Sequence, residues 1–90
     1  MTRTMTPLAA DLRGTFLDTM AGFLTTKTVI ELMSNENTKQ LTNHVCQAIV
    51  DNDGETLAKV RTRLAPLVAN NHGPKAFFIK GLLQIAKRVS

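Results

Sequence analysis

The amino-acid sequence predicts an all-α protein, a compact bundle of four to five short helices with no β-sheet. Large apolar residues recur at spacings of three and four in successive segments, which is the pattern of helices with one buried face. No segment alternates apolar and polar residues over a useful length, and the connections between the helical segments are short. A chain of 90 residues corresponds to one domain, so residues 1–90 are expected to form a single helical domain.

The first predicted helix covers residues 7–24. Thr6 is suited to the N-cap position and Pro7 to the first helical position, because proline has no backbone N–H to leave unpaired there. The large apolar side chains then follow each other along one face: Leu8, Leu12, Phe16, Met20 and Phe23. This face is predicted to pack against the rest of the bundle.

A second face of the same helix carries the small residues Ala10, Gly14 and Ala21. Small residues are tolerated on a helix surface, but they also allow another helix to approach closely. A chain of this length buries only about 60–65% of the surface that its unfolded form exposes, so association would add to a thin core. The sequence therefore predicts a homodimer, with this face as a contact.

The next two helices are predicted from capping patterns. Residues 26–34 form a short helix, with Thr28 and Glu31 three residues apart as a capping box. The third helix is expected to begin with Asn37 as its N-cap and with Gln40 three residues later. The apolar stripe of this third helix consists of Leu41, Val45, Ala48 and Ile49.

The fourth helix is expected to start after Asn52 or Asp53, either of which would cap it. Pro66 interrupts its pattern, so we expect the helix to kink there, or to end near Leu64 and restart briefly. The last helix is predicted to have Pro74 at its first position. The side chains expected to be buried in the bundle are Leu12, Phe16, Leu41, Val45, Leu57, Leu64, Phe78, Leu82 and Ile85.

The sequence offers little for catalysis or metal binding. The acidic segment around Gly54 has the composition of a calcium loop, but positions one and twelve of that loop would be Ile49 and Val60, which cannot bind calcium. His44 and Cys46 are two residues apart on a helix and point in different directions, so they cannot form a nucleophile–base pair. Cys46 is expected to be a buried, apolar residue. We therefore expect no enzyme activity, no metal site and no cofactor.

Charge is unevenly distributed along the chain. Residues 1–55 contain four basic and seven acidic residues, whereas residues 56–90 contain seven basic residues and no acidic one. The first part thus carries a net charge of −3 and the second part +7, within an overall net charge of +4. A surface of one sign indicates an anionic partner.

Phe77 is out of place in the last helix. At about 100° per residue, most apolar side chains of this helix fall on one side, but Phe77 falls between Lys80 and Arg88 on the polar side. One alternative is that another helix, or the loop after Pro66, covers the ring. The other is that the ring is exposed and serves as a stacking platform for a base or as an anchor in a protein groove.

These features predict a small, non-enzymatic binding protein. Its basic C-terminal third would contact the phosphate backbone of DNA or double-stranded RNA with little sequence specificity. The alternative is a protein-interaction module or inhibitor, of the accessory type used by viruses, phages and plasmids, that docks its basic face and Phe77 on an acidic host-protein surface. The residues predicted to bind the partner in either case are Lys59, Arg61, Arg63, Lys75, Phe77, Lys80, Lys87 and Arg88.

Neither a membrane nor a secreted location is indicated by the sequence. No apolar run approaches the roughly 20 residues that a membrane span needs, and the last helix needs its apolar face to close the core. Cys46 is the only cysteine, so no disulfide can form within the chain. The sequence therefore predicts a cytoplasmic protein that does not bind membranes.

Overall fold

A computed structural model describes residues 5–70 and 72–87 of the chain. These residues form five helices: α1 (Pro7–Leu24), α2 (Thr26–Ser34), α3 (Glu36–Val50), α4 (Gly54–Asn70) and α5 (Pro74–Lys87). No β-strand occurs among them, and the predicted all-α bundle is confirmed. None of the described helices is both long enough and apolar enough to span a membrane.

The starts of α1 and α5 follow the prediction. Thr6 is the N-cap of α1, and its hydroxyl accepts a hydrogen bond of 3.3 Å from the backbone N–H of Ala9. Pro7 and Pro74 occupy the first positions of their helices. A backbone N–H at that position would have no partner inside the helix, so proline is accommodated there without loss.

The predicted caps of α2 and α3 are wrong by three and two residues. Thr25 rather than Thr28 caps α2, because the hydroxyl of Thr25 accepts a hydrogen bond of 3.3 Å from the backbone N–H of Thr28. Asn35 rather than Asn37 caps α3, and its side chain accepts a hydrogen bond of 3.1 Å from the N–H of Thr38. Each earlier cap gives a longer helix with more backbone hydrogen bonds, which favours it over the later candidate.

Thr25 joins α1 to α2 without any further linker residue. Its backbone N–H donates to the carbonyl of Ala21 at 3.0 Å and so closes α1, while its hydroxyl opens α2. Its φ of 80° lies in the left-handed region, which is unfavourable for a β-branched residue. The two helices therefore turn sharply at a single residue.

The turn between α3 and α4 is a Schellman arrangement with Asn52 in the left-handed region, at a φ of 54°. The N–H of Asn52 donates to the carbonyl of Ile49 at 3.1 Å, and the N–H of Asp53 donates to that of Ala48 at 2.9 Å. The carboxylate of Asp53 then accepts hydrogen bonds from the hydroxyl of Thr56 at 2.6 Å and from its N–H at 3.1 Å. Both hydrogen bonds lower the pKa of the Asp53 carboxyl, and the bond from the Thr56 hydroxyl has the larger effect. Of the two predicted caps, Asp53 is the one that α4 uses.

α4 continues through Pro66, so the expected end near Leu64 is not present. Pro66 is exposed, and so is Thr62, whose carbonyl loses the hydrogen bond that an N–H at position 66 would donate. Water can reach that carbonyl, which reduces the cost of the missing bond. On its other side α4 packs against α5 and buries Leu57 and Leu64, and this packing keeps the helix continuous.

The core lies where α5 meets the other helices, above all α4. The side chains of α5 that are buried are Ala76, Phe78, Ile79, Leu82, Leu83 and Ala86. The rings of Phe78 and Phe16 are 5.1 Å apart and meet edge to face at an interplanar angle of 75°. Three of the residues predicted to be buried, Leu12, Leu41 and Ile85, are only half-buried, and the other six are buried as predicted.

The apolar stripe of α1 is only partly covered by the bundle. Leu8 is 65% exposed and Phe23 is 70% exposed, although both were predicted to face the other helices. The reason is that α1 packs mainly against α2 and α3 and has fewer contacts with α5. The flank of α1 that faces α5 therefore remains open to solvent.

The small-residue face of α1 is used largely inside the chain. Ala21 packs against the hydrophobic core and Ala10 is half-buried. Gly14 is exposed, and a Cβ atom added to it would meet no atom within 4 Å. Two of the three residues on which the predicted dimer contact was based are thus partly covered by the bundle itself.

Candidate functional site

An open groove between α1 and α5 has a volume of about 460 Å³. Its wall on α1 consists of Leu12, Thr15, Phe16, Thr19 and Met20. Its wall on α5 consists of Phe77, Lys80, Gly81, Gln84 and Ile85. The lining is mainly apolar, and the volume lies in the range of pockets that hold a ligand or an anchoring side chain.

Gly81 allows α1 and α5 to approach closely at the floor of this groove. A Cβ atom added to Gly81 would lie 2.8 Å from Cε of Met20 and 3.1 Å from a ring carbon of Phe16. Any side chain at this position would therefore displace Met20 or Phe16. Gly81 was not predicted to be important. The signal that marks it in the sequence is its isolation within a helix, which costs about 1 kcal/mol relative to alanine and commonly has a packing reason.

Two phenylalanine rings lie next to each other at one end of the groove. The rings of Phe23 and Phe77 are 5.6 Å apart, with an interplanar angle of 48°. Phe77 is nevertheless 41% exposed, so neither a helix nor the loop after Pro66 covers it fully. Phe23 occupies one side of the ring, and another side is available to a partner.

The predicted basic residues do not all lie at the groove. Lys80 lines it, next to Phe77. Arg63, Lys75 and Lys87 are exposed on α4 and α5 but do not line it. Arg88 lies outside the described residues, so the structure places only part of the predicted basic surface.

Two further predicted cations, Lys59 and Arg61, are engaged within the chain. Nζ of Lys59 lies 3.7 Å from Oε1 of Glu55, one turn earlier on α4, in an exposed ion pair that contributes little to stability. The guanidinium of Arg61 donates a hydrogen bond of 3.1 Å to the carbonyl of Ala86, in the last turn of α5. A cation is favoured at this end of a helix, so Arg61 helps to hold α4 against α5.

Cys46 and His44 lie on different sides of α3. Cys46 is fully buried, whereas His44 is exposed on the same helix. Burial raises the pKa of the Cys46 thiol to about 11, and the positive charge of Arg13 opposes this only in part. Among the described residues, no three His, Cys, Asp or Glu side chains come together in a way that could hold a metal ion.

We expect Cys46 to resist thiol reagents in the folded protein. At pH 8 a thiol with a pKa of about 11 is roughly one part in a thousand thiolate, and the thiolate is the reactive form. Labelling with a chromogenic disulfide reagent should be slow in buffer and rapid in guanidinium chloride, which exposes the residue and returns its pKa to the ordinary value. Rapid labelling in buffer would show that α3 opens readily or that Cys46 lies at the surface.

Comparisons of the chain with protein-family models, with curated proteins and with solved structures found no match. The groove and the charges around it are the features of the molecule on which a function can be based.

Proposed function

We propose that this chain is a non-enzymatic protein-interaction module that docks an acidic partner surface in the groove between α1 and α5. The observation that carries the proposal is the exposed ring pair Phe23 and Phe77 beside an apolar groove. Aromatic side chains that become buried in a well-packed pocket dominate the binding energy of many protein interfaces. Lys80 at the edge of the same groove favours an acidic residue on the partner.

Three features favour a protein over a nucleic acid as the partner of this groove. Phe23 occupies one side of Phe77, which leaves less of the ring for a base to stack on. The lining of the groove is mainly apolar, whereas a phosphate backbone is bound by cations and hydrogen-bond donors. Among the predicted cations, Lys59 and Arg61 already have partners within the chain.

Nucleic-acid binding is the second candidate, and the charge distribution favours it. Residues 56–90 contain seven basic residues and no acidic one, and Arg63, Lys75 and Lys80 are exposed. Such residues would neutralise phosphates of DNA or double-stranded RNA without reading the bases. Phe77 would then add a stacking or wedge contact to a backbone interaction.

A pull-down from a nuclease-treated cell lysate tests the protein-docking proposal. We expect the immobilised wild-type chain to retain a protein that the variant Phe77→Ala loses. Ile30→Ala is the matched control, because Ile30 is also an exposed apolar residue, at 63%, but lies on α2 and does not line the groove. This control should retain the protein. Loss by both variants, or by neither, would contradict docking at the groove.

A gel-shift titration against duplex DNA, duplex RNA and single strands separates the two candidates. Protein docking predicts no shift up to about 10 μM chain at about 150 mM salt. A shift below that concentration, in which each Lys→Ala substitution reduces the log–log salt slope by about 0.9, would favour nucleic-acid binding instead.

A further inference from the structure

The groove has an acidic rim on α1 and a basic rim on α5. Asp11 and Asp18 are exposed and lie one helical turn before and after Thr15, which lines the groove. On α5, Lys80 lines the groove, and Lys87 is exposed seven residues further along the same edge. Within each rim the two charged residues are seven positions apart, or about 10.5 Å along the helix. The spacing of the acidic pair therefore equals that of the basic pair.

α1 and α5 run antiparallel across the groove. Phe23, near the end of α1, contacts Phe77, near the start of α5. Further along, the side chain of Met20 lies over Gly81. Moving back along α1 thus corresponds to moving forward along α5, and each helix rises by about 1.5 Å per residue.

This correspondence brings the acidic and basic rims to similar heights along the groove. Asp18 lies nearest in height to Lys80, and Asp11 lies nearest to Lys87. In each case the offset is two to three residues, or about 4 Å, which the long and flexible lysine side chain can span. The rims themselves face outward on opposite sides of the groove, and the structure shows no salt bridge of Asp18 or Lys80 within the described residues.

We infer that the partner of the groove is a second copy of this chain, packed about a two-fold axis that runs along the groove. The inference rests on the proposed function, since it names the partner of the same docking site. Such an axis places α1 of each copy over α5 of the other at an unchanged height. Asp18 then faces the partner's Lys80, and Asp11 faces the partner's Lys87, once in each direction.

Charge selects this axis over the alternative. A two-fold axis across the groove would place α1 over α1 and α5 over α5, so that like charges would meet along both rims. With the axis along the groove, the acidic rim of each copy faces the basic rim of the other. The acidic surface that the basic side of α5 requires is thus supplied by α1 of the same protein.

The same arrangement covers the exposed aromatic rings. Phe23 of each copy comes over the partner's Phe77, so the rings that are 70% and 41% exposed in the single chain become buried at one end of the interface. Their burial provides the attraction, while the charged rims define the orientation and remain at the edge. An apolar centre with a polar rim is the usual construction of a protein interface.

Sedimentation equilibrium of purified variants tests the inference. We expect the wild type to be dimeric at about 10 μM. Asp18→Lys and Lys80→Glu each place like charges at two symmetric points of the interface, and each should weaken dimerisation by about tenfold or more. An equimolar mixture of the two variants should form a heterodimer as tight as the wild-type dimer, because each new charge then faces one of the opposite sign.

Glu31→Lys and Lys39→Glu are the matched controls. They change the net charge by the same amounts at exposed positions that do not line the groove, and they should dimerise like the wild type, both alone and mixed. Circular dichroism of every variant checks that it is folded. Restored dimerisation in the mixture of Asp18→Lys and Lys80→Glu is a second check, because misfolded variants would not form a tight heterodimer.

Three results would overturn the second-copy inference: a wild type that is monomeric at about 100 μM, groove variants that dimerise like the controls, or a mixture that stays monomeric. The proposed function fails in a different way. If the wild type is monomeric but retains a lysate protein that Phe77→Ala does not retain, only the inference is overturned. If the wild type is monomeric and the pull-down finds no protein whose retention depends on Phe77, both the inference and the proposed function are overturned.

Discussion

The substitution Phe78→Ala is expected to lower the free energy of unfolding by about 3–5 kcal/mol. Phe78 is fully buried, and its ring packs edge to face against Phe16. Removing the ring loses its transfer free energy and the aromatic contact, and it leaves a cavity among close-packed neighbours. Small domains are stable by only about 5–15 kcal/mol, so a large part of the stability should be lost. Urea denaturation followed by circular dichroism measures the change.

Phe77→Ala is the matched control for this experiment, because it makes the same change at the adjacent residue. Phe77 is 41% exposed and loses mainly its contact with Phe23, so the expected cost is about 1 kcal/mol or less. Both variants should be compared at concentrations at which the chain is monomeric, so that dimerisation does not contribute. Equal losses for the two variants would mean that Phe77 is buried as deeply as Phe78.

Leu82→Ala is expected to lower the free energy of unfolding by about 2–5 kcal/mol. Leu82 is fully buried near the middle of α5, the helix on which the core is centred. Alanine is a good helix former, so the loss reflects packing and cavity formation rather than helix propensity. The same denaturation experiment measures it.

Leu8→Ala provides the comparison for Leu82→Ala, since Leu8 is 65% exposed at the start of α1. Its replacement should change the stability of the monomer by about 0.5 kcal/mol or less. A loss below about 0.5 kcal/mol for Leu82→Ala would mean that the apolar face of α5 does not point into the core.

The helices themselves were largely predictable, because they follow from interactions between residues three or four positions apart. The periodic apolar side chains and the prolines at positions 7 and 74 marked α1 and α5, and both helices begin where predicted. Cys46 was predicted to be a buried apolar residue, and it is fully buried. Such properties depend on which side of its own helix a residue occupies, and the sequence spacing defines that side.

The exact ends of the helices were less predictable. The hydroxyls of Thr25 and Thr28 can each cap α2, and the amide oxygens of Asn35 and Asn37 can each cap α3. Local chemistry therefore does not choose between the two candidates for either helix. Pro66 was expected to disrupt α4, but its ring lies on the exposed side while the opposite side packs against α5. Where local preferences are nearly equal or oppose tertiary packing, the packing decides.

The sequence by itself determined that the chain is helical, that its C-terminal part is basic and that Phe77 lies off the apolar face of the last helix. Only the tertiary structure decided that Phe77 meets Phe23, that Gly81 brings α5 close to α1, and that an open groove lies between these two helices. Helical periodicity defines the direction of a side chain around its own axis. The position of one helix beside another depends on how all five share a single core, and residues more than fifty positions apart become neighbours only through that packing.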